Sequence, residues 1–465
     1  MTKPLRLPQF LGYACGDAAN NLAFSMSSMF LLLYYTDVVG LGAAAVGTMF
    51  LLVRFWDAFT DILAGRVVDR TSTRWGKFRP FLLFGSLPLL LLSVATFSVP
   101  GGLGDGGALV YAYVTYALLG LAYSLVNIPY GSMATAMTQR PEERAKLATY
   151  RVFGSNLTIL MLALVVAPQI KGSDDLQRSL TISTLAFVVV GFALYLFTFL
   201  TAREQVERDV AKVTARQTID TLKQNKPLLM LCLSSLAFLT GLAALSAVGI
   251  FYARDVLGDA NYYIVLVVVQ TVGTFLAAAF IPLLVRSVGK KRSYLAFGVV
   301  GIAGGVVLAV APAGTPIIAF IGFFVIGIGV GGVNTLMWAL EADTVEYGEW
   351  KTGVRTEGAT YSVFSFTRKM GQALGGAGAA FTIGLGGYVT QSESQPDSAI
   401  TAIKIAAGAL PAGLIIIALA IMYAYPLTEG RFREMVREVA QRRVARQTEA
   451  ARATATTATA PGGTT

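Results

Sequence analysis

Apolar runs of about 20 residues recur about twelve times along this chain, separated by mostly short polar connections. Each run is long enough to cross a hydrocarbon core roughly 30 Å thick. In such a medium every backbone N–H and C=O must find its partner inside the segment, so each run folds as a helix. The expectation is an all-α polytopic membrane protein with twelve transmembrane helices. A mean hydropathy of +0.62 and only 14% charged residues over 465 positions exclude a pair of soluble domains. The net charge of +10 would suggest nucleic acid as the partner of a soluble protein. Here the basic residues fall in short loops between spans, where they report orientation, and no nucleic acid is expected.

The spans are read at roughly 10–35, 41–67, 80–99, a fourth ending near 137, 147–170, 180–200, 227–253, 262–285, 294–311, 316–340, 360–388 and 399–425. They divide into a six-helix half at 1–202, a cytoplasmic linker at 203–226, a second six-helix half at 227–426 and a basic tail at 427–465. An internal echo supports the repeat: Tyr34-Tyr35-Thr-Asp37-Val-Val-Gly40 leaves the first span and Phe251-Tyr252-Ala-Arg-Asp255-Val-Leu-Gly258 leaves the seventh. Dense Lys and Arg between spans two and three, four and five, and six and seven place those loops, and both termini, in the cytoplasm. The tail carries Arg431, Phe432, Arg433, Met435, Val436, Arg437 and Val439, a basic amphipathic pattern suited to the inner leaflet surface, and is expected to be disordered from about residue 450.

The stretch Leu51-Leu-Val-Arg54-Phe-Trp-Asp57-Ala-Phe-Thr60-Asp61 puts a guanidinium and two carboxylates into one span. At 3.6 residues per turn all three charges face the same way, and that face cannot be lipid. An ionised side chain at mid-bilayer costs at least about 2.5 kcal/mol, and stacked carboxylates repel. A bound cation would relieve both penalties; an Arg54–Asp57 pair that only tethers helices is the competing account, and it leaves Asp61 unexplained. Further polar residues lie inside spans: Asp17, Asn20 and Asn21 in the first, Tyr123, Ser124 and Asn127 in the fourth, Arg151 in the fifth, Arg368 and Lys369 in the eleventh. Together they predict a polar cavity.

Other patterns carry no chemistry. Gly327-Ile-Gly329-Val-Gly-Gly332 spells G-x-G-x-x-G inside a span with no strand before it, so close helix packing accounts for it. Asn156-Leu-Thr158 is a glycosylation sequon buried in a span. With no Walker A sequence, no histidine, and Cys15 and Cys232 standing alone, nothing points to ATP-driven transport, a metal site, His-based catalysis or a disulfide framework. Proton handling would fall to carboxylates, and the chain does not read as an enzyme.

The segments Tyr35-Thr-Asp37-Val-Val-Gly40, Arg54-x-x-Asp57-Ala-x-x-Asp61, Arg74-Trp-Gly-Lys77-Phe-Arg-Pro80, Asn127-Ile-Pro129-Tyr130 and Ala342-Asp343-Thr-Val-Glu346-Tyr-Gly348-Glu349 resemble the sugar:cation symporters of the glycoside-pentoside-hexuronide group, in the major facilitator superfamily. Gly16-Asp17-Ala-Ala-Asn20-Asn21, Ser124-Leu-Val-Asn127-Ile-Pro-Tyr-Gly131, Trp338-Ala-Leu-Glu341-Ala-Asp343 and Phe364-Ser-Phe-Thr-Arg368-Lys369 resemble its glucuronide-carrying branch more than its melibiose-carrying branch. The resemblance implies the major facilitator fold in two six-helix halves. It also implies a cation-coupling site at Asp57 and Asp61, with Thr60 and Ser124 lending neutral oxygens, and H+ or Na+ as coupling ion without a cofactor. Thr60 stands where the melibiose branch has Asn. Asn21 and Asn127 stand where that branch has sugar-binding carboxylates, and Gly131 where it has a stacking Trp.

By the same resemblance Asp17, Asn21, Tyr123, Asn127, Arg151, Arg368 and Lys369 line the substrate cavity, with Lys369 rather than its neighbour Arg368 facing it. Arg54, Asp69, Arg74, Lys77, Asp343 and Glu346 are structural or gating charges. Amides in place of carboxylates, with the cations kept, suit an acidic sugar, because an ionised Asp would repel a uronate. The expected activity is import of a glycoside, above all a glucuronide, across the cell membrane by alternating access, with no obligate protein partner. A Na+-coupled carrier of neutral pentosides or oligosaccharides is the alternative, and a membrane sensor or intramembrane enzyme a more distant one.

Overall fold

The computed structural model describes residues 4–71, 73–138, 141–205, 223–353, 357–392, 394–439 and 441–442. Among them, ten helices are long and apolar enough to cross a membrane. Two more long helices, α1 (Leu7–Leu33) and α12 (Glu357–Leu385), complete the twelve spans. Their hydropathy is diluted by Asp17, Asn20 and Asn21 in one and by Arg368, Lys369 and many glycines in the other.

The remaining helices follow the expected order with local changes. After α2 (Ala43–Arg70), the third span is split at Gly85 into α3 (Arg79–Phe84) and α4 (Ser86–Thr96). Next come α5 (Gly104–Met137), α6 (Pro141–Gly172) and α7 (Leu176–Thr201). The second set is α8 (Lys226–Phe251), α9 (Tyr262–Val288), α10 (Lys290–Val310), α11 (Pro316–Thr352) and α12, with the last span built from α13 (Asp397–Lys404), a π-helical turn at Ile405–Ala409 and α14 (Leu410–Tyr423). The tenth span was expected to stop near residue 340, but α11 runs on to Thr352, so Asp343 and Glu346 sit on the helix itself. Residues 206–222 of the expected linker and the tail beyond residue 442 lie outside the described residues.

The sequence echo is a structural echo. Tyr34–Val38 and Tyr252–Val256 are both five-residue π-helical turns, closed by Gly40 at φ 86° and Gly258 at φ 87°, where a side chain would be strained. The Tyr34 hydroxyl accepts from the Val99 N–H after α4, and the Tyr252 hydroxyl donates to the Leu308 carbonyl in α10. Each ring therefore anchors the end of its first span to the third span of its own set.

The glycine pattern in α11 is a packing device. A Cβ at Gly329 would stand 2.3 Å from the Gly301 backbone of α10, and one at Gly327 would stand 2.4 Å from the Gln270 carbonyl of α9. Small residues thus let three backbones touch. The tail departs from expectation. Residues 429–439 are helical, but Met435 and Val439 are buried and Phe432 packs on the core, under the Lys290 ammonium at 5.0 Å. Most of its apolar face is therefore spent on the protein, with Val436 left exposed, and Trp350 Nε1 at the end of α11 donates to Glu438 at 2.7 Å.

Candidate functional site

The three charges of α2 do share a face. Arg54 Nη1 donates to Asp57 Oδ2 at 2.9 Å and its Nη2 to the Tyr116 hydroxyl at 3.1 Å. Asp57 is buried and its Oδ1 has no hydrogen-bond partner among the described residues. That oxygen lies where a Cβ on Gly120 of α5 would come within 2.1 Å, so the missing side chain there makes room for the carboxylate. One turn along, Asp61 Oδ1 accepts from Ser124 Oγ at 2.6 Å, and Oδ2 is paired with Lys369 of α12. The Thr60 hydroxyl is turned to the Asp57 carbonyl at 3.0 Å, so it serves the helix backbone. Arg54, Asp57, Asp61, Phe366, Lys369 and Met370 enclose a void of about 10 Å³, enough for one water or ion and not for a sugar.

A third ion pair lies between α1 and α6. Arg151 Nε donates to Asp17 Oδ1 at 2.8 Å, and Asn21 Nδ2 donates to Asp17 Oδ2 at 3.1 Å. The Asn21 side-chain oxygen accepts from Ser25 at 2.9 Å, whereas Asn20 is held by the Tyr195 hydroxyl at 2.8 Å. Tyr123, stacked on Phe24 at 5.3 Å, stands within electrostatic reach of Asp17 and Arg151 on one side and of Arg54 and Asp61 on the other. One turn further along α5, Asn127 is half-buried. Tyr123 thus links the three ion pairs into one polar band.

Arg368 and Lys369 diverge as neighbours on a helix must. Arg368 lies 4.7 Å over the Trp338 ring and reaches Asn334 Oδ1 at 3.2 Å, both on α11, while Lys369 reaches across to α2. Sequence reasoning grouped Lys369 with Arg151 in the sugar cavity and apart from the coupling carboxylates. The structure instead gives Lys369 to Asp61 and Arg151 to Asp17. Tyr116 and Gly120 were missed altogether, since neither residue type signals a charge site.

The other charges occupy the two ends of the molecule. At the end where α1 and α8 finish, Arg254 pairs with Asp37 and with Asp255, its Nε at 2.7 Å from Asp255 Oδ1, and the Tyr388 hydroxyl donates to Asp37 at 2.9 Å. At the opposite end Lys290 Nζ holds Asp343 at 2.7 Å, with Glu346 half-buried on the same helix. Arg74 lies over Trp75 at 4.6 Å. The Lys77 N–H donates to Glu204 at 3.1 Å, and its ammonium lies over Phe78 at 5.7 Å. The side chain of Asp69 lies outside the described residues.

Twelve spans in two echoing sets of six, with charges buried between them, define a membrane transporter of the major facilitator fold, not an enzyme. Residues 12–429 match the family described as MFS/sugar transport protein, and the chain belongs to that family. It is 46% identical over 450 residues to the glucuronide carrier protein homolog of Escherichia coli (strain K12), covering 96% of this chain and 98% of that one. It is 33% identical over 401 residues to the isoprimeverose transporter of Lactiplantibacillus pentosus, covering 84% and 83% of the two chains. Among solved structures, the nucleoside transporter NupG superposes with a TM-score of 0.64 at 16% identity, over 90% of this chain and 100% of that one. The protein is a multi-pass sugar symporter of the major facilitator type, acting on a small molecule within a membrane.

Proposed function

We propose that this symporter imports an acidic glycoside, a glucuronide, together with H+ or Na+, and that the ion is taken up at Asp57 and Asp61 by alternating access between the halves 1–202 and 227–426. The observation that carries the reading is the polar band itself. In it Arg151 meets the same Asp17 carboxylate as the amide Asn21, Lys369 pairs with Asp61, and Asn21 and Asn127 stand where, by the resemblance, the melibiose-carrying branch holds carboxylates. The relative named a glucuronide carrier protein homolog supports the same substrate class. In this reading, which the basic loops support, the Lys77 and Asp343 end, the linker at 203–226 and both termini lie in the cytoplasm, and the Asp37–Arg254–Tyr388 cluster lies outside.

A carboxylate ligand in this partly desolvated band gains a charge-assisted hydrogen bond of about 1.5 to 3 kcal/mol, roughly tenfold or more in affinity. In proteoliposome uptake, a glucuronide should therefore compete at least about tenfold better than the matching glucoside, and Asn127→Asp should harm the uronide more. Equal competition would leave the second reading, a carrier of neutral pentosides or oligosaccharides, which the relative named for isoprimeverose favours.

A further inference from the structure

Around Lys369 the four charges balance. Arg54 answers Asp57 and Lys369 answers Asp61, while Ser124, Tyr123 and Tyr116 of α5 supply the neutral polar groups that face them. The two pairs differ in freedom. Arg54 is held by both Asp57 and Tyr116, and the Arg54 and Asp57 side chains are 15% and 12% exposed. Lys369 and Asp61 are 23% and 22% exposed, and an ammonium on a four-carbon stem is the more adaptable of the two cations.

An acidic substrate adds a negative charge to a balanced site. If its carboxylate takes Lys369, Asp61 keeps only the Ser124 hydroxyl and stands one turn from Asp57, whose Oδ1 already has no donor. Two carboxylates, one buried and one half-buried, then face one guanidinium, and the excess must be met by a cation. A neutral glycoside creates no such demand. We propose that Lys369 is an exchange site: the carboxylate of an acidic substrate displaces Asp61 from Lys369, and the freed Asp61 binds the coupling cation, so the charge of the substrate itself enforces cotransport. This rests on the acidic-sugar reading and adds the means by which substrate and ion are tied.

The test uses the full chain in lipid nanodiscs with p-nitrophenyl β-D-glucuronide and p-nitrophenyl β-D-glucoside as probes. The binding of each is followed against pH without sodium, and against sodium at fixed alkaline pH. For the glucuronide, a tenfold fall in the coupling cation should weaken binding about tenfold in the low-cation range, by reciprocal linkage, and the glucoside should change less than about twofold. Lys369→Gln should abolish the glucuronide's cation dependence, and Lys369→Arg should restore it. Equal cation dependence for the two sugars, with the glucuronide still the better ligand, overturns the exchange and leaves the acidic-sugar reading intact. Equal binding of the two sugars overturns both. The two-sugar comparison on the unmutated protein decides the matter even if Lys369→Gln fails to fold.

Discussion

Among the described residues, two ion pairs bridge the two sets of six helices, and they are built differently. At the Asp37 end, Arg254 is shared by a carboxylate from the facing set, Asp37, and one from its own turn, Asp255, with Tyr388 beside them. Near the middle of α2, Lys369 has Asp61. When the helix sets part at the first bridge, Arg254 keeps Asp255 and no buried cation is stranded. When the second bridge breaks, both partners need replacements. The first is suited to a latch that opens and closes unchanged, the second to a site where ligands change places.

Removing one charge at a time sharpens this contrast. Asp61→Asn should have the largest effect, abolishing gradient-driven accumulation in proteoliposomes while sugar exchange persists; full accumulation would remove Asp61 from the proposed coupling site. Arg254→Gln leaves two largely buried carboxylates facing each other, so a destabilisation of about 3 kcal/mol is expected in thermal or denaturant unfolding, at the low end for a broken buried pair because the arginine is 24% exposed. Asp37→Asn removes only the bond across the sets, a charge-assisted contact worth about 2 kcal/mol. Hydrogen exchange in 34–41 and 252–259 should then quicken roughly thirtyfold, the equivalent of that loss. Asp255→Asn should act least, by about 1 kcal/mol and with the opposite sense: Arg254 then depends on Asp37, opening is penalised, and turnover falls roughly fivefold. Faster turnover in that variant would break the latch comparison.

The latch also shows how unevenly the sequence speaks. The echo of Tyr34 to Gly40 in Tyr252 to Gly258 was legible, down to paired glycines that prove to have positive φ. That Asp37 and Asp255 would converge on one arginine was not, since Arg254 and Asp37 are 217 positions apart. The G-x-G-x-x-G of α11 was read as helix packing, and the backbones of α9 and α10 against it bear that out. The tail's cover was not legible, because an amphipathic stripe states only that something apolar covers it, and Met435 and Val439 are covered by the protein.

By itself the sequence determined the number of spans, the echo between the two sets and the presence of Arg54, Asp57 and Asp61 on one face of α2. These follow from hydropathy and from the 3.6-residue period, which act over a few turns of chain. Only the tertiary structure decided which charges neutralise one another: Lys369 meets Asp61 across 308 positions and Arg151 meets Asp17 across 134. A buried charge needs a partner, but any of several basic residues in the spans could have met the need. The choice was made by the packing of α2 against α12 and of α1 against α6, whose contact faces come from shape complementarity among residues far apart in the chain.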